Sequence, residues 1–141
     1  MANKYHAKHT MKFTVYIEPV AKARARTVVQ RGKVHSFTPR KTEWAEWAIR
    51  QALVDVTGLQ YFALPVAVKI DVTFYIAKPK SAPKKRTMPT TKPDWDNLGK
   101  TITDALEKYL YENDSQITTA VIKKRYGSPP RIEIEIEEDE G

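Results

Sequence analysis

The clearest pattern of hydrophobic and polar residues is a period-two alternation over residues 66–76, VAVKIDVTFYI. Its apolar positions are Val66, Val68, Ile70, Val72, Phe74 and Ile76. Polar residues fall between most of them, and such alternation is typical of a β-strand with one buried face. Similar patterns predict strands over residues 13–17, 117–126 and 131–138, the last two joined by the turn sequence GSPP.

Two other segments follow the helical period instead. Pro39 suits a first helical turn, and apolar residues recur at helical spacing from there until Gly58. A second helix is predicted from about 96 to 110, with an inner stripe formed by Leu98, Ile102, Ala105, Leu106 and Tyr109. Before the first helix, TVVQRGKVHSF predicts a β-hairpin that turns at Gly32 and the arginine before it.

The order of these elements predicts the fold class. A strand, a hairpin, a helix, a strand, a loop, a helix and two strands follow one another without strict alternation. This order favours an α+β fold with a mixed β-sheet and two main helices packed on one face. Because 141 residues suffice for one hydrophobic core but hardly for two, we expect a single domain over residues 1–141.

Basic charge is concentrated in parts of the chain. The sequence holds 24 Lys and Arg against 17 Asp and Glu, a formal net charge of +7. Residues 78–93, KPKSAPKKRTMPTTKP, combine six basic residues with four prolines, so we expect a mobile basic loop there. Concentrated basic charge indicates a nucleic-acid partner. The candidate DNA contacts are Lys22, Arg24, Arg26, Arg40, Lys41, Lys84, Lys85 and Arg86.

Two absences narrow the class of protein. With no cysteine, the chain has no disulfide framework, no thiolate nucleophile and no cysteine-ligated zinc site. No stretch of about eighteen apolar residues occurs, and MANKYHAKHTMKF lacks the apolar run of a signal peptide. We therefore expect a cytoplasmic protein with no membrane partner.

Two aspartates close together in KPDWDNLGK raise a chemical question. Asp94 and Asp96 flank a tryptophan directly after the basic loop. Asp96 alone could be a helix N-cap that pairs with Lys100 one turn later. Two neighbouring carboxylates repel each other, however, and a hard divalent cation relieves that repulsion. Mg²⁺ suits such a site because it prefers oxygen ligands and is commonly held by one or two carboxylates and a substrate phosphate.

A polar loop after the second helix offers further acidic residues. In YLYENDSQIT these are Glu112 and Asp114, and each alone is more often a solvated turn residue. Asp104 and Glu107 continue the outer face of the helix but lack a partner loop in the sequence pattern. We expect both of them to be solvated.

The acidic segments together resemble the RusA family of Holliday-junction resolvases, in its phage and Gram-positive form. The run DWDNLGKTITDAL, the loop YENDSQI and an alternating strand occur in the family's order, and the resemblance covers most of residues 13–138. It implies an α+β homodimer that binds four-way DNA junctions and cuts two strands symmetrically with Mg²⁺. It also implies metal-binding carboxylates at Asp94, Asp96 and Asp114 and a catalytic lysine at Lys100.

Three functions stay open on the sequence. They are a junction resolvase, a Mg²⁺-dependent nuclease of another specificity such as a flap or RNA-cleaving enzyme, and a DNA-binding module without catalysis. The complete set of three aspartates and one lysine argues against the last. Trp44, Trp47 and Trp95 could stack on unpaired bases, but aromatic residues near helix stripes are more often core or interface residues.

Overall fold

The computed structural model describes residues 10–23, 26–37 and 39–141. The elements in chain order are β1 (Thr10–Val15), β2 (Arg26–Gln30), β3 (Lys33–Phe37), α1 (Arg40–Ala52), β4 (Val68–Ile76), α2 (Trp95–Leu106), β5 (Ile117–Tyr126) and β6 (Arg131–Glu138). Two single-turn 3-10 helices, Leu53–Asp55 and Asp114–Gln116, follow α1 and precede β5.

Four of these strands form one mixed sheet in the order β1-β6-β4-β5. Strand β4 pairs antiparallel with β6 and parallel with β5, and β6 pairs antiparallel with β1. Strands β2 and β3 form a separate antiparallel hairpin. Its turn contains Arg31 and Gly32, with φ angles of 53° and 74°. The predicted hairpin is therefore confirmed.

The hydrophobic core lies between the sheet and the two helices. Four residues of β4 are completely buried, namely Val68, Ile70, Val72 and Phe74. Helix residues that join the same core include Ile49, Leu98, Ile102, Ala105 and Leu106. The residues between the buried positions of β4 and β6 are polar for the most part and only partly buried, so they lie on the opposite face of the sheet. The α+β fold with two helices on a mixed sheet is thus confirmed.

Helix α1 is shorter than its hydrophobic pattern predicts. It ends at Ala52, and the 3-10 turn Leu53–Asp55 follows. Val56 is extended, with a ψ of 121°, so the helix does not reach Gly58. Neither α1 nor any other helix in the described ranges is long and apolar enough to cross a membrane.

Helix α2 also ends earlier than predicted. It runs from Trp95 to Leu106 and stops because Lys108 adopts a left-handed conformation with a φ of 72°. The Lys108 N–H donates a hydrogen bond of 2.7 Å to the Tyr111 carbonyl oxygen. As a result Tyr109, predicted to face inward, is 51% exposed.

The basic loop lies between β4 and α2. Residues 77–94 contain no helix or strand, as the sequence predicts. Turns at residues 79–82 and 83–86 are each closed by a backbone hydrogen bond of 3.0 Å. The Lys124 ammonium on β5 donates to the Thr91 carbonyl oxygen at 2.7 Å and ties the end of the loop to the sheet. The mobility of this loop stays a prediction.

Candidate active site

The N-terminus of α2 presents two carboxylates that the helix itself does not use. Asp94 is the N-cap residue, but its side chain accepts no capping hydrogen bond. It forms an ion pair of 3.1 Å with Lys92, whose side chain is 86% exposed. Asp96 is the second residue of the helix and not its N-cap. Among the described residues the Asp96 carboxylate has no hydrogen bond or ion pair, so it is open to a ligand, and Asp94 is held only by the exposed Lys92.

Lys100 lies one helical turn after Asp96 but pairs with other acids. Its ammonium donates to Oδ1 of Asp104 at 3.0 Å and to Oδ2 of Asp114 at 3.4 Å. The hydrogen bond to Asp104 raises the pKa of Lys100, and Asp114 adds to this effect. Lys100 is therefore a stable cation at neutral pH.

Three acidic side chains meet beside this ammonium. Asp104, Glu107 and Asp114 each place an oxygen within 4.8 Å of the others. The expectation that Asp104 and Glu107 lack a partner loop is wrong, because the 3-10 turn that carries Asp114 lies beside the end of α2. Of the three predicted metal ligands, only Asp114 belongs to this cluster. Asp96 is about 12 Å away from Asp104 along the helix axis.

Asp104 is neutralised from two sides. Lys22 pairs with Asp104 at 3.2 Å and with Glu46 of α1 at 2.7 Å, and Lys100 binds the other Asp104 oxygen. Burial lowers the pKa of Lys22, but the hydrogen bonds to Glu46 and Asp104 outweigh burial and raise it. Lys22 thus links the two helices, and its predicted contact with DNA stays a prediction.

Tyr111 supports the acidic cluster from the core. It is completely buried, and its hydroxyl donates a hydrogen bond of 2.6 Å to the Thr103 carbonyl oxygen. Burial raises the pKa of Tyr111, and the neighbouring carboxylates raise it further. The phenol therefore keeps its proton and has a structural role.

Gln116 fixes the turn that carries Asp114. Its side chain uses both ends of the amide: Oε1 accepts from two backbone N–H groups of the turn, and Nε2 donates to two backbone carbonyls before β4. These partners, at 2.9 to 3.0 Å, are Glu112, Asn113, Phe62 and Val66. Asn113 and Gln116 together form a capping box. The role of Gln116 is not among the predictions from the sequence, although the Asn-x-x-Gln spacing around Asp114 is a signal for it.

Two clefts at the N-terminus of α2 bring lysines close to the aspartates. One is lined by Lys41 and Lys92 together with Asp94. The other is lined by Thr90, Thr91, Lys92, Asp94, Trp95, Asp96 and Lys124. Lys124 is not among the residues predicted from the sequence, because a lysine on the surface of a strand has no distinguishing sequence pattern.

The remaining predicted DNA contacts are more dispersed. Arg40 and the basic residues 84–86 are exposed or partly exposed, and they do not line either of these two clefts. Arg24 lies outside the described residues, and only the backbone of Arg26 is described. Of these predicted contacts, Lys41 therefore shares a cleft with Asp94.

Comparison with known proteins establishes the family. A family model described as Endodeoxyribonuclease RusA matches residues 16–137. The chain belongs to the RusA family. Among the relatives of the chain, the Uncharacterized protein YqaN of Bacillus subtilis strain 168 is 38% identical over 138 residues, covering 91% of this chain and 96% of its own length. The Crossover junction endodeoxyribonuclease rusA of Lactococcus phage r1t is 34% identical over 111 residues, covering 77% of this chain and 81% of its own.

Membership of the RusA family confirms the resemblance that the acidic segments indicate. The matched residues 16–137 contain the basic loop, α2 and the turn with Asp114. All of the candidate acids and Lys100 therefore lie within the RusA portion of the chain.

Replacing Gln116 tests whether it holds the acidic turn. We expect Gln116→Ala to lower the free energy of unfolding by about 2 to 4 kcal/mol, because it leaves four buried or partly buried backbone groups without their partners. Gln116→Glu keeps the acceptor but loses the Nε2 donor, so it should also be destabilising. Urea unfolding measures both changes.

The neighbouring Ser115→Ala is the matched control. Ser115 is exposed, so its replacement should change the free energy of unfolding by less than about 0.5 kcal/mol. Wild-type stability of Gln116→Ala would contradict the role given to the amide.

Proposed function

We propose that this protein is a Mg²⁺-dependent endodeoxyribonuclease that resolves four-way DNA junctions by cutting two strands. The observation that carries the proposal is membership of the RusA family, which includes a phage relative named as a crossover junction endodeoxyribonuclease. The geometry of α2 supports it, because carboxylates and a protonated lysine lie along one helix beside lysine-lined clefts.

The proposed metal ligands are Asp94 and Asp96 at the N-terminus of α2 and Asp114 in the cluster with Asp104 and Glu107. Because the two positions lie about 12 Å apart along the helix axis, the three carboxylates do not bind the same ion in the described geometry. Their carboxylate oxygens are the donors that hard divalent cations prefer. Asp94 is paired only with an exposed lysine, and Asp96 has no partner among the described residues, so a cation need not displace a buried ion pair at either. Asp104 already accepts from two ammonium groups, which supports a role in holding those lysines.

Lys100 is the proposed catalytic lysine. A bound Mg²⁺ supplies an activated water and polarises the phosphoryl oxygens. The Lys100 ammonium stabilises the negative charge that develops on the phosphate during hydrolysis. Asp104 and Asp114 hold this ammonium at 3.0 and 3.4 Å and keep it protonated through the neutral pH range.

The cations around the N-terminus of α2 are the proposed DNA-binding surface. Lys41, Lys92 and Lys124 line the clefts next to Asp94 and can contact phosphates on either side of the cut. The exposed Lys84 and Lys85 and the partly exposed Arg86 extend this surface along the loop. Together they supply the sequence-independent electrostatic attraction that branched DNA requires.

A homodimer is the proposed functional unit, acting on DNA in the cytoplasm. A four-way junction has two-fold symmetry, and two symmetric cuts require two active sites. A dimer with two-fold symmetry places one site on each of the two strands.

Asp→Asn variants test the proposed ligands. We expect Asp94→Asn, Asp96→Asn and Asp114→Asn each to slow cleavage of a labelled four-way junction in Mg²⁺ by more than about 100-fold, because each removes a charged oxygen ligand. Junction binding should be retained, since a negative charge near the phosphates is lost. Gel mapping of the cuts and a binding titration measure the two effects.

Asp71→Asn is the control for the loss of one carboxylate. Asp71 lies on β4, on the sheet face away from α2, and pairs with Lys123 at 3.1 Å, so its replacement should slow cleavage by less than about threefold. Full activity of Asp94→Asn and Asp96→Asn would overturn the ligand assignment. Equal cutting of four-way, forked and linear substrates would overturn the junction specificity.

Neutralising the basic loop tests its contact with DNA. We expect the triple variant Lys84→Ala, Lys85→Ala, Arg86→Ala to reduce the slope of log K against log salt by up to about 2.7, since each phosphate contact contributes about 0.9. The control is Lys12→Ala, whose lysine pairs with Glu135 at 3.3 Å on the sheet. An unchanged slope in the triple variant would exclude a DNA contact by this loop.

Sedimentation velocity tests the homodimer. We expect a species of twice the 16.2 kDa chain mass at micromolar concentration, and the same protein dimer bound to one four-way junction. A single 16.2 kDa species in both conditions would contradict the proposed dimer.

A further inference from the structure

Trp95 is a large apolar side chain that the fold leaves in solvent. It is the first residue of α2 and 62% exposed, although buried indoles contribute strongly to cores. The buried stripe of α2 begins at Leu98 and does not include Trp95. Packing therefore does not explain a tryptophan at this position.

The surroundings of Trp95 combine a ring with positive charge. Lys92 and Lys124 line the same cleft, together with Asp94, Asp96 and the hydroxyl residues Thr90 and Thr91. Lys92 pairs with Asp94 at 3.1 Å, whereas Lys124 has no carboxylate partner among the described residues. The Lys124 ammonium donates to the Thr91 carbonyl oxygen at 2.7 Å, which fixes one wall of the cleft. An exposed aromatic ring flanked by cations is the arrangement that binds single-stranded nucleic acid, with the base stacked on the ring and the phosphate against the cations.

We propose that this cleft binds one unpaired nucleotide of the DNA, with its base stacked on the Trp95 indole and its phosphate contacted by Lys124. This inference rests on the proposed function, because Asp94 and Asp96 on either side of Trp95 are the proposed metal ligands. The stacked nucleotide then lies next to the phosphate to be cut. Selectivity for branched DNA follows, since bases at a branch point unstack at lower cost than bases within a duplex.

The indole itself reports on stacking. A variant with Trp44→Phe and Trp47→Phe keeps Trp95 as its single tryptophan, and its fluorescence is titrated with oligodeoxythymidine, a four-way junction and a blunt linear duplex. The titrations are run in EDTA and in Ca²⁺, a hard cation that takes oxygen ligands. We expect single strands and the junction to quench Trp95 emission and the duplex to leave it nearly unchanged.

The matched control is Trp95→Phe, which keeps Trp44 and Trp47 at 52% and 56% exposure on α1. Its emission should not respond to oligodeoxythymidine, and its affinity should stay within about threefold of wild type because phenylalanine still stacks. Trp95→Ala should weaken oligodeoxythymidine binding by at least about fivefold. Its thermal unfolding should match that of wild type, because the removed ring is exposed.

Two negative outcomes can be told apart. If the protein binds and cuts junctions but Trp95 emission is constant and Trp95→Ala binds like wild type, the nucleotide subsite is wrong and the proposed function stands. If oligodeoxythymidine quenches Trp95 but four-way junctions are not cut, the proposed function is wrong and the subsite stands.

Discussion

The parallel pairing of β4 with β5 is the constraint on which the rest of the structure depends. Parallel neighbours cannot be joined by a tight turn, so the chain must return to the other end of the sheet before the second strand begins. Residues 77–116 make this crossover and contain the basic loop, α2 and the acidic turn. Because α2 buries one stripe against the sheet, its outer face presents Asp96, Lys100 and Asp104 in a row at four-residue spacing.

The sequence predicts the helices and strands wherever the burial of one face imposes a regular spacing on the apolar residues. The alternation in β4 and β6 and the apolar stripe of α2 predict their elements because one face of each must leave water. The spacing of apolar residues does not predict the residues at which the helices end. Helix α2 ends before Lys108, which adopts a left-handed conformation although it is not a glycine. A backbone hydrogen bond from Lys108 to Tyr111 stabilises this conformation.

The candidate site is predictable in its residues but not in its pairings. Local spacing offers Lys100 two acids, Asp96 and Asp104, each four residues away. The lysine pairs with Asp104, where Asp114 from a separate turn adds a second acceptor. Lys22 reaches the same carboxylate from a segment far away in the sequence. Such partners depend on tertiary contacts, which the spacing of residues along the chain does not predict.

The four hydrogen bonds of Gln116 have a consequence for how ligands bind together. They hold the turn that carries Asp114 in place, whereas Asp94 is bound only by the exposed Lys92 and Asp96 has no partner among the described residues. Under the proposed function, the entropic cost of fixing the remaining ligands would then fall mainly on the N-terminal end of α2. A cation or DNA that binds there first would lower this cost for the other, so the two would bind with positive cooperativity.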